Sequence, residues 1–234
     1  MDAMHEKTLP PGQRAIDGFP RFGTQLHASP PAVSAAPVIE IAGAVGEPIS
    51  VPLARLTTLP RRELTADLHC VAGWSATDLR WEGVAFATLY HDVIEPVLTT
   101  ASPITHVVFE GLDLYRSIVL LEDALGDDVL IAEHLDGRRL DGDHGAPLRL
   151  VSPSQYGFMS TKHLCRIELH TAEPAGRYHP SRKTQLWLTL VKPHRRARVW
   201  EEERHRYLPA TLVRPLYHRL VSTISSLSAR GGRS

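Results

Sequence analysis

The sequence predicts a folded domain in which β-strands alternate with short helices. Apolar residues alternate with polar ones over short runs, proline and glycine separate those runs, and one segment has apolar residues at helical spacing. The chain has 234 residues, of which 43% are hydrophobic and 22% are charged. That composition is typical of a protein with a substantial core, so we expect one main domain with an appendage.

The first half of the chain is predicted to hold two strands and two helices. Residues 38–45 follow a proline-rich approach segment and alternate as a strand does. Residues 63–70 form the second strand, and because turn-forming residues come next, Cys70 is expected at the end of a strand. The helices are expected between Pro52 and Pro60, and from Phe86 until Pro96 closes the helical pattern.

The second half is predicted to be richer in strands. Asp136-Gly137 is typical of a tight hairpin turn between residues 129–133 and 138–140. In the last strand of the core, Cys165 alternates with charged residues, and we expect it to be a packed, inert thiol on the core face. The remaining predicted elements are strands at 106–109, 117–121, 147–151 and 186–191, a helical turn at 122–125, and helices at 199–206 and 212–221.

Two cysteines limit the redox chemistry that the chain can support by itself. Cys70 and Cys165 are too few to hold an iron-sulfur cluster, and no CxxCH string attaches a c-type haem, so neither cofactor is expected. No signal peptide and no apolar stretch of membrane-spanning length is visible, which predicts a cytoplasmic protein. A disulfide between the two cysteines is not favoured in that compartment.

The formal net charge of zero conceals two parts of opposite sign. Residues 1–176 hold 13 Lys and Arg against 23 Asp and Glu, a net charge of −10, whereas residues 177–234 hold 13 against 3, a net charge of +10. A basic tail on an acidic body suggests an anionic partner for the tail. Membrane headgroups, nucleic acid, the acidic body itself and a neighbouring subunit all remain open at this point.

Common catalytic motifs are missing, since the chain has no Gly-rich phosphate loop, no paired CxxC and no HExxH. Three separated strings nevertheless occur in a specific order: ADLHCVAGWSATDLRWEGVAF, FEGLD with a tyrosine shortly after it, and DHGAPLRLVSPSQYGFMSTKHLCRIEL. Together they resemble the sulfite-oxidase-type molybdopterin-binding domain, over about residues 38–170. The resemblance implies a mainly β, α+β fold whose strand ends and loops surround one pterin with a dithiolene and a phosphate.

The resemblance also implies the domain limits and the cofactor contacts. The core would occupy residues 38–172, between an extended segment, 1–37, that packs on the core from about residue 15, and a basic C-terminal extension, 173–234. Cys70 matches the molybdenum ligand, which suits a soft thiolate, and Tyr115 matches a tyrosine that faces the metal centre and could relay a proton. The residues that match pterin and phosphate contacts are Asp113, His144, Arg149, Ser160, Thr161 (through its backbone N–H) and Lys162, with a partial match at Arg21, Phe22 and His27.

One departure from the family bears on the substrate. In sulfite oxidases a basic pair that binds the sulfite anion follows the metal cysteine closely, but here residues 71–75 contain no cation. Arg80 or Arg116 could substitute, or an apolar mouth near Trp74 could accept a neutral substrate such as a sulfoxide. We therefore expect two-electron oxygen-atom transfer on a small sulfite-like or sulfoxide-like substrate by a Mo-molybdopterin oxidoreductase.

Other hypotheses remain open at this point. With no room for a haem domain, electrons would pass to a separate cytochrome or membrane redox partner, docked through the basic tail, and no nucleic acid is expected. The oligomeric state is left open. The alternatives are a non-catalytic molybdopterin-binding or carrier module, and a zinc-dependent hydrolase that uses Cys70 with His69, His91 or His144.

Overall fold

The computed structural model describes residues 8–21, 29–175, 194–215 and 219. Its elements in chain order are β1 (Arg14–Ala15), β2 (Val38–Gly43), β3 (Ile49–Pro52), α1 (Leu53–Leu56), β4 (Arg62–His69), β5 (Trp74–Ala85), α2 (Phe86–Leu89), β6 (His106–Gly111), β7 (Arg116–Leu120), α3 (Leu121–Ala124), β8 (Leu130–Leu135), β9 (Arg138–Arg139), β10 (Arg149–Val151) and β11 (Leu164–His170). A π-helical turn, Tyr90–Ile94, and a 3₁₀ turn, Glu95–Val97, extend α2. None of the helices in the described part is long and apolar enough to cross a membrane.

The strands form two sheets. The six-stranded sheet runs β1-β5-β8-β10, with β4 added to β5 and β9 added to β8. The five-stranded sheet runs β3-β2-β11-β6-β7, and β11 is parallel to β2 but antiparallel to β6. Short helices follow β3, β5 and β7, so the expectation of a mainly β domain with brief helices is confirmed.

The main core lies between the two sheets, and a second one covers the far side of the six-stranded sheet. On β8, Ile131 belongs to the main core, whereas its neighbours Leu130 and Ala132 belong to the second. This alternation follows from the two-residue period of a strand, and it buries the sheet on both faces. The second core contains Cys70, and the N-terminal residues Ile16 and Phe19 pack against it.

Most of the strands and helical turns that were predicted in the described region are present. Cys70 directly follows β4, and the hairpin at Asp136-Gly137 has positive φ at both residues (51° and 76°), as its turn type requires. The predicted strand at 186–191 lies outside the described residues, and so does part of the helix predicted at 212–221, of which residues 210–215 are helical.

Three local predictions are wrong. No strand was predicted between Cys70 and Phe86, but a tight turn after Cys70 leads directly into β5, a strand of 12 residues. Cys165 is half-buried rather than in the core, because a register shift between Leu164 and Arg166 places Leu164 in the core instead. Residues 199–206 are not helical; they consist of turns, irregular backbone and one bridge position at His205.

Candidate cofactor site

Cys70 lies in a closed turn between β4 and β5. The Cys70 N–H donates to the Trp74 carbonyl (2.8 Å), and the Gly73 N–H donates to the Cys70 carbonyl (2.9 Å). The Ala72 N–H points at the Cys70 sulfur, 3.5 Å away. Burial raises the pKa of the Cys70 thiol to about 12, although the Ala72 N–H and Arg204 act in the opposite direction. The thiol is therefore neutral at ordinary pH, and a bound metal would be needed to keep it deprotonated.

A chain of buried hydrogen bonds supports the Cys70 backbone from behind. The Gln13 Nε2 donates to the Cys70 carbonyl (3.1 Å), and the Ser75 hydroxyl donates to the Gln13 Oε1 (3.1 Å). His69 Nδ1 lies 2.8 Å from the same hydroxyl. Because the single hydroxyl hydrogen of Ser75 is already donated, His69 Nδ1 must carry a proton and donate it. His69 is therefore a buried member of this hydrogen-bond chain, next to Cys70.

Arg149 is a buried cation in the middle of the second core. It is 1% exposed, and its guanidinium lies 5.1 Å from the ring centroid of Trp81 and 5.6 Å from that of Phe19. The guanidinium donates to the backbone carbonyls of His144 (3.0 Å) and Ser160 (3.4 Å). Burial lowers the pKa of Arg149 to about 9. Within the described residues no carboxylate forms an ion pair with it, so the surroundings favour the approach of an anion.

Lys162 adds a second cation next to Arg149. A Cβ added to Gly145 would lie 3.0 Å from the Lys162 Cβ and 3.2 Å from the Arg149 Cβ, so the two cations flank one glycine with φ of +110°. Burial lowers the pKa of Lys162 to about 7, and the charges of Arg149 and Arg21 lower it further. The Lys162 Nζ donates to the Asp143 carbonyl (2.8 Å). We call Arg21, Arg149 and Lys162 the basic cluster.

Other predicted cofactor contacts border the basic cluster. Arg21 Nη1 lies 3.4 Å from an oxygen of Asp143, and the charge of Asp113 acts on Lys162. His144 is fixed at both ring nitrogens, since Nδ1 lies 2.7 Å from Asp141 Oδ1 and Nε2 lies 2.9 Å from the Phe19 carbonyl. Phe22 and His27 lie outside the described residues, so their predicted roles stay predictions.

The hydroxyl residues before Lys162 already have partners within the protein. The Ser160 hydroxyl oxygen accepts from the Ser152 N–H (3.1 Å), which leaves its own hydrogen available to donate. The Thr161 hydroxyl lies 2.7 Å from that of Ser117, and the Thr161 N–H donates to the Met159 carbonyl (3.0 Å). The backbone N–H that was expected to serve the cofactor therefore has an internal acceptor here.

Residues 157–160 join the Cys70 region to the basic cluster. The Gly157 N–H donates to the His69 carbonyl (2.7 Å), and the Ser160 N–H donates to the Gly157 carbonyl (3.2 Å). The Tyr115 hydroxyl donates to the Phe158 carbonyl (2.6 Å), and the Tyr115 N–H donates to Asp113 Oδ1 (3.1 Å). One short segment thus contacts the residue before Cys70, Tyr115 and Arg149.

Neither Arg80 nor Arg116 is free to replace the basic pair that binds sulfite in sulfite oxidases. Arg80 is largely exposed beside Asp136, and Arg116 forms ion pairs with Glu110 (3.1 Å) and Glu168. Trp74 is 1% exposed and belongs to the second core, so the prediction of an apolar mouth near it is wrong.

The zinc alternative gains no support. The described residues contain no group of three or more His, Cys, Asp or Glu side chains placed to hold a metal ion. His91, one of the ligands considered, instead pairs with Glu95 (2.8 Å) on the exposed side of the helical segment that follows α2.

Part of the basic tail, residues 177–234, docks on the acidic body, residues 1–176. Arg195 lies 3.0 Å from Glu173, and Arg198 lies 2.6 Å from Asp123. Within residues 194–215, self-docking is therefore the alternative that the ion pairs support.

Sequence reasoning missed Gln13, Ser75, His163 and Arg204 as residues of this region. His163 is buried beside the basic cluster, and its Nδ1 lies 2.7 Å from the Ala146 carbonyl. The closeness of His163 to Lys162 in the sequence was the one available signal. For Gln13 and Arg204 no local pattern exists, because their contacts join segments far apart in the chain.

Comparison with known families identifies the domain. Residues 27–178 match the family model described as the oxidoreductase molybdopterin binding domain, which covers 152 of the 234 residues. The chain belongs to this family. It is therefore a sulfite-oxidase-type molybdopterin-binding domain, from a family of molybdopterin-dependent oxidoreductases.

Curated relatives are similar to more than half of the chain. The chain is 31% identical over 157 residues to the protein-methionine-sulfoxide reductase catalytic subunit MsrP of Gluconobacter oxydans, with 58% of this chain and 47% of the relative covered. It is 30% identical over 130 residues to the uncharacterized oxidoreductase YuiH of Bacillus subtilis, with 56% and 63% covered. The chain thus spans about half the length of its MsrP relative.

A solved structure supports the fold. The sulfane dehydrogenase SoxCD from Paracoccus pantotrophus superposes with a TM-score of 0.52 at 22% identity, over 60% of this chain and 40% of that one. The mainly β arrangement of the molybdopterin-binding domain is therefore shared with SoxCD.

Proposed function

We propose that this domain holds Mo-molybdopterin, with Cys70 as a metal ligand, and carries out two-electron oxygen-atom transfer on a small substrate. The observation that carries the proposal is the basic cluster. Arg149 is fully buried and Lys162 is half-buried beside it; burial lowers the pKa of both, and they flank the backbone of Gly145. A phosphate placed there would offset the cost of burying two cations.

The donor set of the site fits the cofactor. Arg149 would grip the phosphate with its planar fork, and Lys162 would act as a point charge that regains its proton when an anion arrives. Cys70 supplies one soft sulfur, and the hydrogen bonds from Ala72 and Gln13 fix its geometry. The cofactor itself would supply the redox chemistry, while the protein supplies position and electrostatic field.

Tyr115 is the residue that we assign to proton transfer. Reduction of a sulfoxide consumes two electrons and two protons and yields a thioether and water. The Tyr115 hydroxyl donates to the Phe158 carbonyl, and the neighbouring Gly157 N–H donates to the carbonyl of His69, the residue before Cys70. In this proposal the hydroxyl would turn from that carbonyl to deliver one of these protons and would be recharged from solvent.

A neutral sulfoxide suits the site better than sulfite does. The turn after Cys70 carries no cation, and both Arg80 and Arg116 lie beside acidic side chains. The name of the MsrP relative also refers to sulfoxide reduction. We further propose that a separate redox protein supplies the electrons, since the chain contains one cysteine besides Cys70.

The metal assignment is tested by analysis of protein from a molybdate-supplied host. We expect about one molybdenum and one pterin per wild-type chain. Cys70→Ser should keep the pterin but lose the absorption of a cysteine thiolate bound to molybdenum, and Cys165→Ser is the matched control that should keep both. Zinc in place of molybdenum, or a chain without pterin, would contradict the proposal.

Catalysis is tested by dye-linked turnover with the loaded protein. Sulfoxides of increasing size and sulfite form the panel, and we expect turnover with at least one neutral sulfoxide and a higher KM for sulfite. The absence of a basic pair after Cys70 also favours a second candidate function, that of a cofactor carrier. Full molybdenum loading with no turnover on the whole panel would favour that carrier.

A further inference from the structure

A second buried arginine comes from the C-terminal extension and lies against the turn that carries Cys70. Arg204 is 1% exposed and is among the largest fully buried side chains. Burying a cation is costly unless its surroundings satisfy it, so its position calls for a physical reason.

The guanidinium of Arg204 donates hydrogen bonds to backbone carbonyls of two segments that are far apart in the sequence. Nη1 donates to the Val71 carbonyl, and Nη2 lies 3.3 Å from the carbonyls of both Pro11 and Gly12. The guanidinium carbon is also 5.0 Å from the ring centroid of Tyr156, within the range of a cation–π interaction. The fork of an arginine can reach these carbonyls together, which a lysine cannot do.

Gly12 shows that the backbone is shaped for this contact. Its φ is +68°, and a Cβ added there would lie 3.0 Å from Arg204 Nη2 and 3.1 Å from Arg214 Nε. A side chain at position 12 would therefore be strained and would crowd the guanidinium.

Both segments that Arg204 holds lead to Cys70. Val71 is the next residue in the chain. Gln13, the residue after Gly12, donates its side-chain N–H to the Cys70 carbonyl. One guanidinium therefore fixes Cys70 from two directions and also places a positive charge close to its sulfur.

The extension itself is anchored next to this point. The Tyr156 N–H donates to the Ala197 carbonyl (2.8 Å), and the Val199 N–H donates to the Ser154 carbonyl (3.0 Å). These bonds hold residues 197–199 against the segment that leads into Gly157. The backbone a few residues before Arg204 is therefore fixed next to the Cys70 turn.

We propose that Arg204 is a positioning residue for the metal ligand: it holds the turn of Cys70 in place and keeps a cation beside that sulfur when it is bound as a thiolate. This inference rests on the proposed function. The cation would stabilise the reduced centre, which carries more negative charge, and it would replace part of the basic pair that is missing after Cys70.

The test compares Arg204→Gln and Arg204→Lys with Arg206→Gln in the loaded full-length chain. Arg206 belongs to the same extension and lies 3.8 Å from Glu173, so Arg206→Gln is the matched control. We expect Arg204→Gln to keep its pterin, because the basic cluster is intact, and to weaken molybdenum retention about 10- to 100-fold. Its molybdenum(V) spectrum should change and its midpoint potential should fall.

Arg204→Lys separates charge from geometry. It should keep the midpoint potential nearer to that of the wild type but still show an altered molybdenum(V) spectrum, because the fork is lost. If Arg204→Gln does not fold, the lysine variant decides by this spectrum.

Failure of the proposed function and failure of this inference give different results. Wild type without molybdenum would contradict the proposed function. A loaded wild type whose Arg204 variants match it in metal retention, spectrum and potential would overturn this inference alone.

Discussion

Replacing Lys162 by Met should change how the stability of the cofactor-free protein depends on pH. Burial and the neighbouring cations lower the pKa of Lys162 from 10.5 to about 7. Between these two values the unfolded chain binds more protons than the folded one, so stability rises with pH. The penalty of charging Lys162 is fully present below pH 7 and is absent above pH 10.5.

The interval between pH 7 and pH 9 isolates this effect. Burial lowers the pKa of His163 from 6.5, so that histidine contributes below the interval. Burial lowers the pKa of Arg149 to about 9, so Arg149 contributes above it. The thiol of Cys70, with its pKa raised, lowers stability only where the unfolded thiol ionises, near pH 9 and above. Two pH units of Lys162 titration correspond to about 2 to 3 kcal/mol.

Thermal unfolding of cofactor-free protein, from a host that cannot make molybdopterin, is the assay. The wild-type Tm should rise by roughly 5 to 10 °C from pH 7 to pH 9, as expected for a chain of this size. Lys162→Met should show a flat Tm over the same interval, and so should the loaded wild type, because a bound phosphate restores the proton to Lys162. A flat wild-type profile, or an unchanged slope in the variant, would refute this reasoning.

Three further substitutions test the site and its frame. Arg149→Met should change the Tm of the cofactor-free protein by only a few degrees, because the cost of burying the charge is removed together with the hydrogen bonds of the guanidinium. The same variant should weaken cofactor retention by at least about 30-fold, as measured by pterin fluorescence after dialysis. Tyr115→Phe should lower sulfoxide turnover about 100-fold at full molybdenum content; equal turnover would exclude the hydroxyl as a proton donor. Gly111→Ala should destabilise the fold by about 2 kcal/mol or more in urea unfolding, because its Cβ would overlap the Lys162 carbonyl oxygen.

Local signals explain which parts of the molecule the sequence could predict. The Asp136-Gly137 hairpin and the strand that ends at Cys70 depend on turn chemistry and alternation within a few residues, and both are present. Strand β5 was missed because Gly73, Ser75 and Asp78 are turn formers. In the fold Trp74 and Ser75 nevertheless pair with Arg14 and Ala15 of the N-terminal segment. A pairing partner about 60 residues away leaves no trace in the local pattern.

The same distance in sequence explains why part of the site was missed. Arg149 and Lys162 lie in one family string and could be assigned from it, but Gln13 and Arg204 reach the Cys70 turn across 57 and 133 residues. Both are buried polar side chains whose partners are backbone carbonyls, which any sequence provides. Such contacts carry no compositional signature, so only the folded chain reveals them.

The convergence of both chain ends on Cys70 has a mechanical consequence. A metal ligand in a short turn can follow the metal as its bonds change, unless the carbonyls around that turn are held from outside. Here Gln13 holds the Cys70 carbonyl and Arg204 holds that of Val71, and each comes from a segment outside the central core. The rigidity of the sulfur therefore depends on segments that a truncation to residues 38–172 would remove, and such a truncated domain should bind pterin through Arg149 and Lys162 while holding molybdenum weakly.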